Sequence, residues 1–200
     1  MSATHGRPYA VGRGLPRAAD VLLAGVGLLL ASPLLAICMV AIKVSSPGPV
    51  IYRSLRSGRG GAEFELFKLR TMHVGNDPVG VGTPVYAGDA RVTRAGGFLR
   101  RFSLDELPNL VNVLRGEMAV VGPRPTLPAQ VADYSEHQRR RLDVRPGLTG
   151  WAQVNGRAGI PWEERIELDV WYVEHRSPAL DLRILARTLG LLVTGRGLYG

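Results

Sequence analysis

Asp105 and Glu106 stand side by side in FSLDELPNLVNVLRGEMAVVGPRP (102–125), within a 200-residue chain of formal net charge +8. Two such carboxylates repel by about 1 kcal/mol at 4 Å in water, and several-fold more near a protein interior. The pair therefore calls for a cation nearby: a divalent metal, arginines, or both. Ser103 followed by Glu106 also matches a capping box, and acids are common in a helix's first turn, so the pair reads equally well as an ordinary helix start. Pro108 fits within a first turn. The pattern predicts a helix beginning around Ser103–Asp105, carrying Leu107, Leu110, Val111 and Leu114 into the core and stopping at Gly116. Carboxylates at such an N-terminus are favoured in their ionised form, and a bound phosphate is favoured there too. Neighbouring positions project in different directions, so each acid can do separate work.

Arg124 is held between Pro123 and Pro125 after MAVV, which reads as a short strand. The residue before a proline is restricted to extended conformations, so GPRP is a stiff turn presenting a guanidinium fork. A pre-ordered fork suits phosphate; taken alone, the same motif is also compatible with a plain surface turn. An ionised aspartate is a nucleophile toward phosphorus, forming an acyl phosphate, once a metal and arginines screen the charge.

These residues need a scaffold. VIYRS and FELFKLRTM alternate as strands on either side of a basic Gly-rich turn, and a period of two puts Lys68 and Arg70 on one side. Residues 74–90 form a long Gly/Pro-rich loop, with Arg91, Arg94, Arg100 and Arg101 following closely. VADYSEHQRRR reads as a charged helix. A further helix starts near Pro161 with Glu163 and Glu164 at its positive end and a stripe of Trp162, Ile166, Val170 and Val173. Asp169 lies beside that stripe, which predicts burial against a basic partner. SPALDLRILARTLGLLV opens on Ser177 as a cap and reads as a core helix or an interfacial one.

Val21–Ile42 carries no charge and is long enough to cross a bilayer core. Ser32-Pro33 at its midpoint predicts a break, and arginines and lysine flank both ends (Arg7, Arg13, Arg17; Lys43, Arg53, Arg56, Arg59). Both features favour a re-entrant helix-break-helix hairpin, with arms of about 15 Å, over a spanning helix. The expected organisation is a basic flank (1–16), a membrane anchor (17–44) and a catalytic domain (45–200). The fold class expected is α/β or α+β: a helix-rich small domain with a short sheet, docked on that anchor.

The basic balance points to an anionic partner: nucleic acid, a phospholipid surface or a phosphorylated substrate. An aromatic content of 6% disfavours base stacking, and Cys38 as the single cysteine excludes a disulfide framework or a cysteine-based metal site. No Rossmann fingerprint, P-loop, zincin or serine-hydrolase motif occurs.

The blocks FKLRTM, DARVTRAGGFLRRFSLDELPNLVNVLRGEM, VVGPRP, VRPGLTGWAQVNGR and ELDVWYV, after an apolar segment broken at Ser32-Pro33, resemble the bacterial sugar transferases, the monotopic polyprenyl-phosphate phosphoglycosyl transferases. The likeness runs over nearly the whole chain and corresponds to the minimal catalytic unit of that family. It implies transfer of a sugar-1-phosphate from a UDP-sugar to polyprenyl (undecaprenyl) phosphate, with UMP released and Mg2+ required. Asp105 would be the nucleophile, and Glu106 would help bind metal or activate the lipid phosphate. Arg124 would bind phosphate, with Lys68, Arg101 and Arg145 as further contacts, joined by Arg70 from the strand. Gln153, Asn155, Arg157 and Asp169 would support the site, and the 74–90 loop would act as a lid. The resemblance also implies a bacterial inner-membrane location with the site facing the cytoplasm, contact with membrane lipid, and no nucleic-acid partner. A homodimer or later glycosyltransferases of the same pathway are the further partners considered. The alternative from another class is a membrane-anchored basic binding or scaffold module without turnover.

Overall fold

The computed structural model describes residues 9–76, 88–156 and 159–194. A long helix, α1 (Arg17–Ser45), leads into an antiparallel hairpin of β1 (Ile51–Ser57) and β2 (Glu63–Leu69). There follow α2 (Arg94–Arg101), a 3₁₀ turn over Leu104–Glu106, α3 (Asn109–Arg115) and β3 (Ala119–Val121). Next come α4 (Pro128–Ala132), α5 (Glu136–Arg139), a 3₁₀ turn over Arg140–Asp143, and β4 (Gly147–Thr149), which pairs parallel to β3. Three helices complete the chain: α6 (Trp151–Asn155), α7 (Trp162–His175) and α8 (Pro178–Thr194). The architecture is the helix-rich α+β class expected, with its strands in two separate two-stranded pairings.

The main core joins Ala24 of α1, Phe64 and Leu66 of β2, Val113 of α3, Tyr172 and Val173 of α7 and Ile184 of α8 around β3. A second cluster packs Leu35, Cys38 and Ile42 of α1 against Leu69 and Leu99. Along α1, Asp20, Ala24, Leu35, Cys38 and Ile42 are buried and Leu28 and Ala31 half-buried, in steps that keep one face against the domain. The opposite face leaves Leu29, Leu30 and Val44 at 73%, 75% and 83% exposure. Both ends of α1 are tied to the same body. Arg17 donates to the Met118 carbonyl and Asp20 accepts from the Val120 amide at 2.9 Å; beyond the last turn, Arg70 donates to the Ser46 carbonyl at 2.8 Å.

The structure corrects the expected break at Ser32-Pro33, because Pro33 lies inside one continuous helix. Proline removes the N–H that would bond the Leu29 carbonyl, and the Ser32 hydroxyl donates to that same carbonyl at 2.7 Å. The buried stripe also runs unbroken past the proline, so packing holds the two halves in line. VADYSEHQRRR is likewise not one helix. Ser135 caps a new turn through the Gln138 amide, dividing the segment into α4, α5 and a 3₁₀ turn. Ser177 does cap α8, accepting from the Leu180 amide at 3.2 Å.

Candidate active site

Lys68, Glu106 and Arg124 are brought together from three elements. Alternation along β2 places Phe64, Leu66 and Lys68 on one face. Arg56 pairs with Phe64 across the hairpin and shares that face. Asn112, fully buried in α3, fixes the helix against the strand: its Oδ1 accepts from the Phe67 amide at 3.1 Å and its Nδ2 donates to the Glu65 carbonyl at 2.6 Å. The Leu104–Glu106 turn just before α3 is thereby set opposite Lys68.

Glu106 Oε1 accepts from Lys68 Nζ at 2.7 Å and from Arg124 Nη2 at 2.6 Å. Burial alone would push the Glu106 carboxyl up, but Arg124 and Lys68 together hold it well below the ordinary carboxylate range. Arg124 is steadied through its own backbone, whose carbonyl accepts from Arg141 Nη2 at 3.1 Å. Arg141 in turn forms a buried ion pair with Asp169 and donates to the Tyr134 hydroxyl. The expected basic partner of Asp169 is therefore Arg141, through which Asp169 connects to the Arg124 backbone.

Asp105 behaves differently. It is half-buried and, among the described residues, has no hydrogen bond or ion pair. Burial, then the adjacent Glu106 charge, raise its carboxyl above the usual range, against the pull of Lys68, Arg100 and Arg124. The expected helix N-terminus is corrected here. No capping box forms, because Glu106 faces Lys68 and Arg124, and α3 begins only at Asn109 after Pro108. Ser103, just before the pair, is the only non-glycine among the described residues with positive φ (53°). The predicted stop does hold: Gly116 ends α3 in the left-handed region at φ 86°.

A cavity beside this constellation is lined by Arg56, Lys68, Glu106, Asn109 and Arg124, with Leu66 and Met118 as its apolar wall. Asp105, the neighbour of Glu106 in sequence, is not part of that lining. Other expected contacts are committed elsewhere. β2 stops at Leu69, so Arg70 turns away and donates to Ser46 and Pro47 at the end of α1. Arg101 is exposed against the Phe102 ring; it is Arg100, bonded to the Thr71 hydroxyl at 2.8 Å, whose charge acts on Asp105. Arg145 donates to the Gly116 carbonyl at 2.9 Å, completing the end of α3. Gln153 donates at 3.4 Å to the carbonyl of Leu148, another residue of the cavity wall. Asn155 accepts from Arg187 at 2.9 Å, away from the acid pair's partners. Arg157 and residues 77–87 of the proposed lid lie outside the described residues. Sequence reasoning missed Arg56, Arg100, Asn109, Asn112 and Arg141. The available signal was polar side chains at Asn109 and Asn112 within an otherwise apolar helix.

The family model described as "Bacterial sugar transferase" matches residues 11–195. The chain belongs to this family. Among its relatives, a Bacillus subtilis protein named "Uncharacterized sugar transferase EpsL" is 44% identical over 165 residues, covering 82% of this chain and 79% of that protein. A "UDP-glucose:undecaprenyl-phosphate glucose-1-phosphate transferase" of Escherichia coli is 45% identical over 188 residues, covering 90% of this chain but only 40% of that protein. One of the same name from Caulobacter vibrioides is 45% identical over 191 residues, covering 92% and 71%. In this bacterial sugar transferase, therefore, the acid pair, the basic strand residue and the proline-flanked arginine belong to an enzyme.

Proposed function

We propose that this sugar transferase moves a sugar-1-phosphate from a UDP-sugar to polyprenyl phosphate through an acyl phosphate on Asp105. The observation that carries the reading is the asymmetry of the acid pair: Glu106 is held by two cations, while Asp105 keeps both oxygens unpaired. The names of the Escherichia coli and Caulobacter vibrioides relatives support the donor and acceptor classes. A relative from Aeromonas hydrophila, named for N-acetylgalactosamine-phosphate transfer, is 37% identical over 189 residues, so the sugar is open within the family.

In the first step an Asp105 oxygen attacks the sugar-bearing phosphorus. The bond from that phosphorus to the bridging oxygen breaks, and UMP departs with the electron pair. In the second, an oxygen of the ionised lipid phosphate attacks the phosphosugar. The acyl–phosphate bond breaks, the Asp105 carboxylate is restored, and a polyprenyl diphosphate sugar forms. Arg124 and Lys68 face the developing negative charge, and Glu106 keeps both cations ordered before substrate arrives. The unpaired Asp105 oxygens, with Glu106 Oε2, whose one bond is a long 3.5 Å from Arg124, suit a magnesium ion that takes one or two carboxylates plus substrate phosphate. Mg2+ bound there would neutralise diphosphate charge.

α1 serves as a monotopic anchor in this reading. Its apolar outer face meets the lipid as one continuous helix lying along the domain, with both its ends fixed to that body. The active site then faces the cytoplasm, where nucleotide sugar and lipid phosphate meet. A binding module without turnover is disfavoured, since it has no use for an unpaired carboxylate among arginines. The test is turnover: purified protein with Mg2+, undecaprenyl phosphate and a panel of UDP-sugars releases UMP with at least one donor. No UMP from any donor contradicts the proposal.

A further inference from the structure

Arg56 lines the same cavity as Lys68, Glu106 and Arg124, yet its side chain makes no hydrogen bond or ion pair with any described residue. Its Nε is buried with no acceptor. Both Glu106 oxygens already face Lys68 and Arg124, so the cavity sets three cationic side chains against one carboxylate. In the same lining Asn109 is 97% buried, with a side-chain oxygen that also lacks a partner. Buried polar groups are rarely left unmet in a folded protein. Here a donor and an acceptor are orphaned in one cavity beside the reactive pair. Burial, then the Arg124 charge, weaken the hold of Arg56 on its proton, a discomfort that a bound anion relieves.

We infer that Arg56 is a phosphate-binding residue of the substrate cavity, donating from Nε to a phosphate oxygen, while Asn109 accepts from a hydroxyl carried by the same ligand. The inference deepens the proposed sugar-phosphate transfer and rests on it for the identity of the phosphate. The hairpin supplies the physical basis. Arg56 reaches the cavity only because its register partner is Phe64, on the face that carries Lys68. Donor diphosphate and lipid phosphate share the chemistry that Arg56 recognises.

The experiment is calorimetric binding of pyrophosphate, UDP and nanodisc-held undecaprenyl phosphate to the full chain and to its Arg56→Gln and Arg56→Lys variants, with thermal melting to establish folding. Arg56→Gln is expected to weaken at least one of these ligands tenfold or more. Arg56→Lys, which keeps the charge without the Nε donor, falls in between. Loss of pyrophosphate and UDP assigns Arg56 to the donor; loss of undecaprenyl phosphate alone assigns it to the acceptor. Unchanged binding of all three by a folded variant overturns the inference, as does a wild-type protein that holds none of them. Arg56-dependent pyrophosphate binding without UMP release from any donor retains the inference and removes the transfer reading. UMP release with Arg56-independent binding does the reverse.

Discussion

Arg124 Nη2 lies 2.6 Å from Glu106 Oε1 across 18 residues of sequence, and Lys68 Nζ meets the same oxygen at 2.7 Å. This three-way contact joins the hairpin, the turn before α3 and the loop after β3. It pairs Glu106 with two cations and leaves the Asp105 carboxylate without a hydrogen bond or ion pair among the described residues, as the proposed mechanism requires.

Asp105→Asn abolishes turnover while leaving the fold intact. Its stability change has a definite sign. The Asp105 pKa is raised above the ordinary aspartate value of 3.8 in the folded state, so ionising it opposes folding. The variant therefore melts at or above the wild-type temperature at pH 7. Its advantage shrinks as pH falls through the raised Asp105 pKa toward the unfolded value, where the wild-type carboxyl becomes neutral as well. Melting curves across pH check this; a variant that melts well below wild type at pH 7 contradicts the burial argument.

The same shift sets the acid limb of the reaction. Transfer onto Asp105 requires the carboxylate, so the single-turnover rate falls as pH drops through a value above the ordinary aspartate range. Stopped-quench UMP release from pH 4 to 8 measures it, and a limb at or below 3.8 contradicts the assignment.

Glu106→Gln keeps the shape but removes the charge that holds Lys68 and Arg124. Loss of about 1–3 kcal/mol is expected, at about 2–4 °C in Tm per kcal/mol for a chain of this size. Turnover falls as well, by 10-fold or more, because both cations lose their fixed geometry. Calorimetry and steady-state kinetics on the same preparation check both parts.

Asn112→Ala tests the staple between α3 and β2. It leaves the Phe67 N–H and Glu65 carbonyl without their partner, at about 1–3 kcal/mol each. A melting temperature within a degree of wild type contradicts this account of how Glu106 is set against Lys68.

Leu29→Asp with Leu30→Asp charges the outer face of α1, where both side chains are more than 70% exposed. Membrane association is lost while the domain stays folded; Leu35→Asp, on the inner face, destabilises the fold instead. Flotation of the protein with liposomes, beside melting curves, separates the two outcomes.

Much of the scaffold was legible wherever one local rule governed. Alternation marked β1 and β2, the glycine at 116 marked the end of α3, and the placement of Asp169 beside an apolar stripe marked a buried acid. The failures share a physical origin. Ser103 and Glu106 satisfy a capping pattern, but two cations outcompete a backbone amide for Glu106. Pro33 satisfies a breaking pattern, but a serine hydroxyl and a continuous packed stripe hold the helix together. Lys68 and Arg70 part company because a period of two applies only while the strand lasts. Arg56 and Arg141 needed the tertiary register before their neighbours could be known.

The central claim is that Asp105 becomes covalently phosphorylated by the donor. The direct measurement omits the lipid: protein, Mg2+ and UDP-sugar, followed by intact-mass and peptide-level mass spectrometry with UMP quantified alongside. The account predicts one equivalent of UMP and a phosphosugar adduct on Asp105, absent from Asp105→Asn. UMP formation that appears only after polyprenyl phosphate is added, with no adduct at any time, would contradict it and point to direct attack by the lipid.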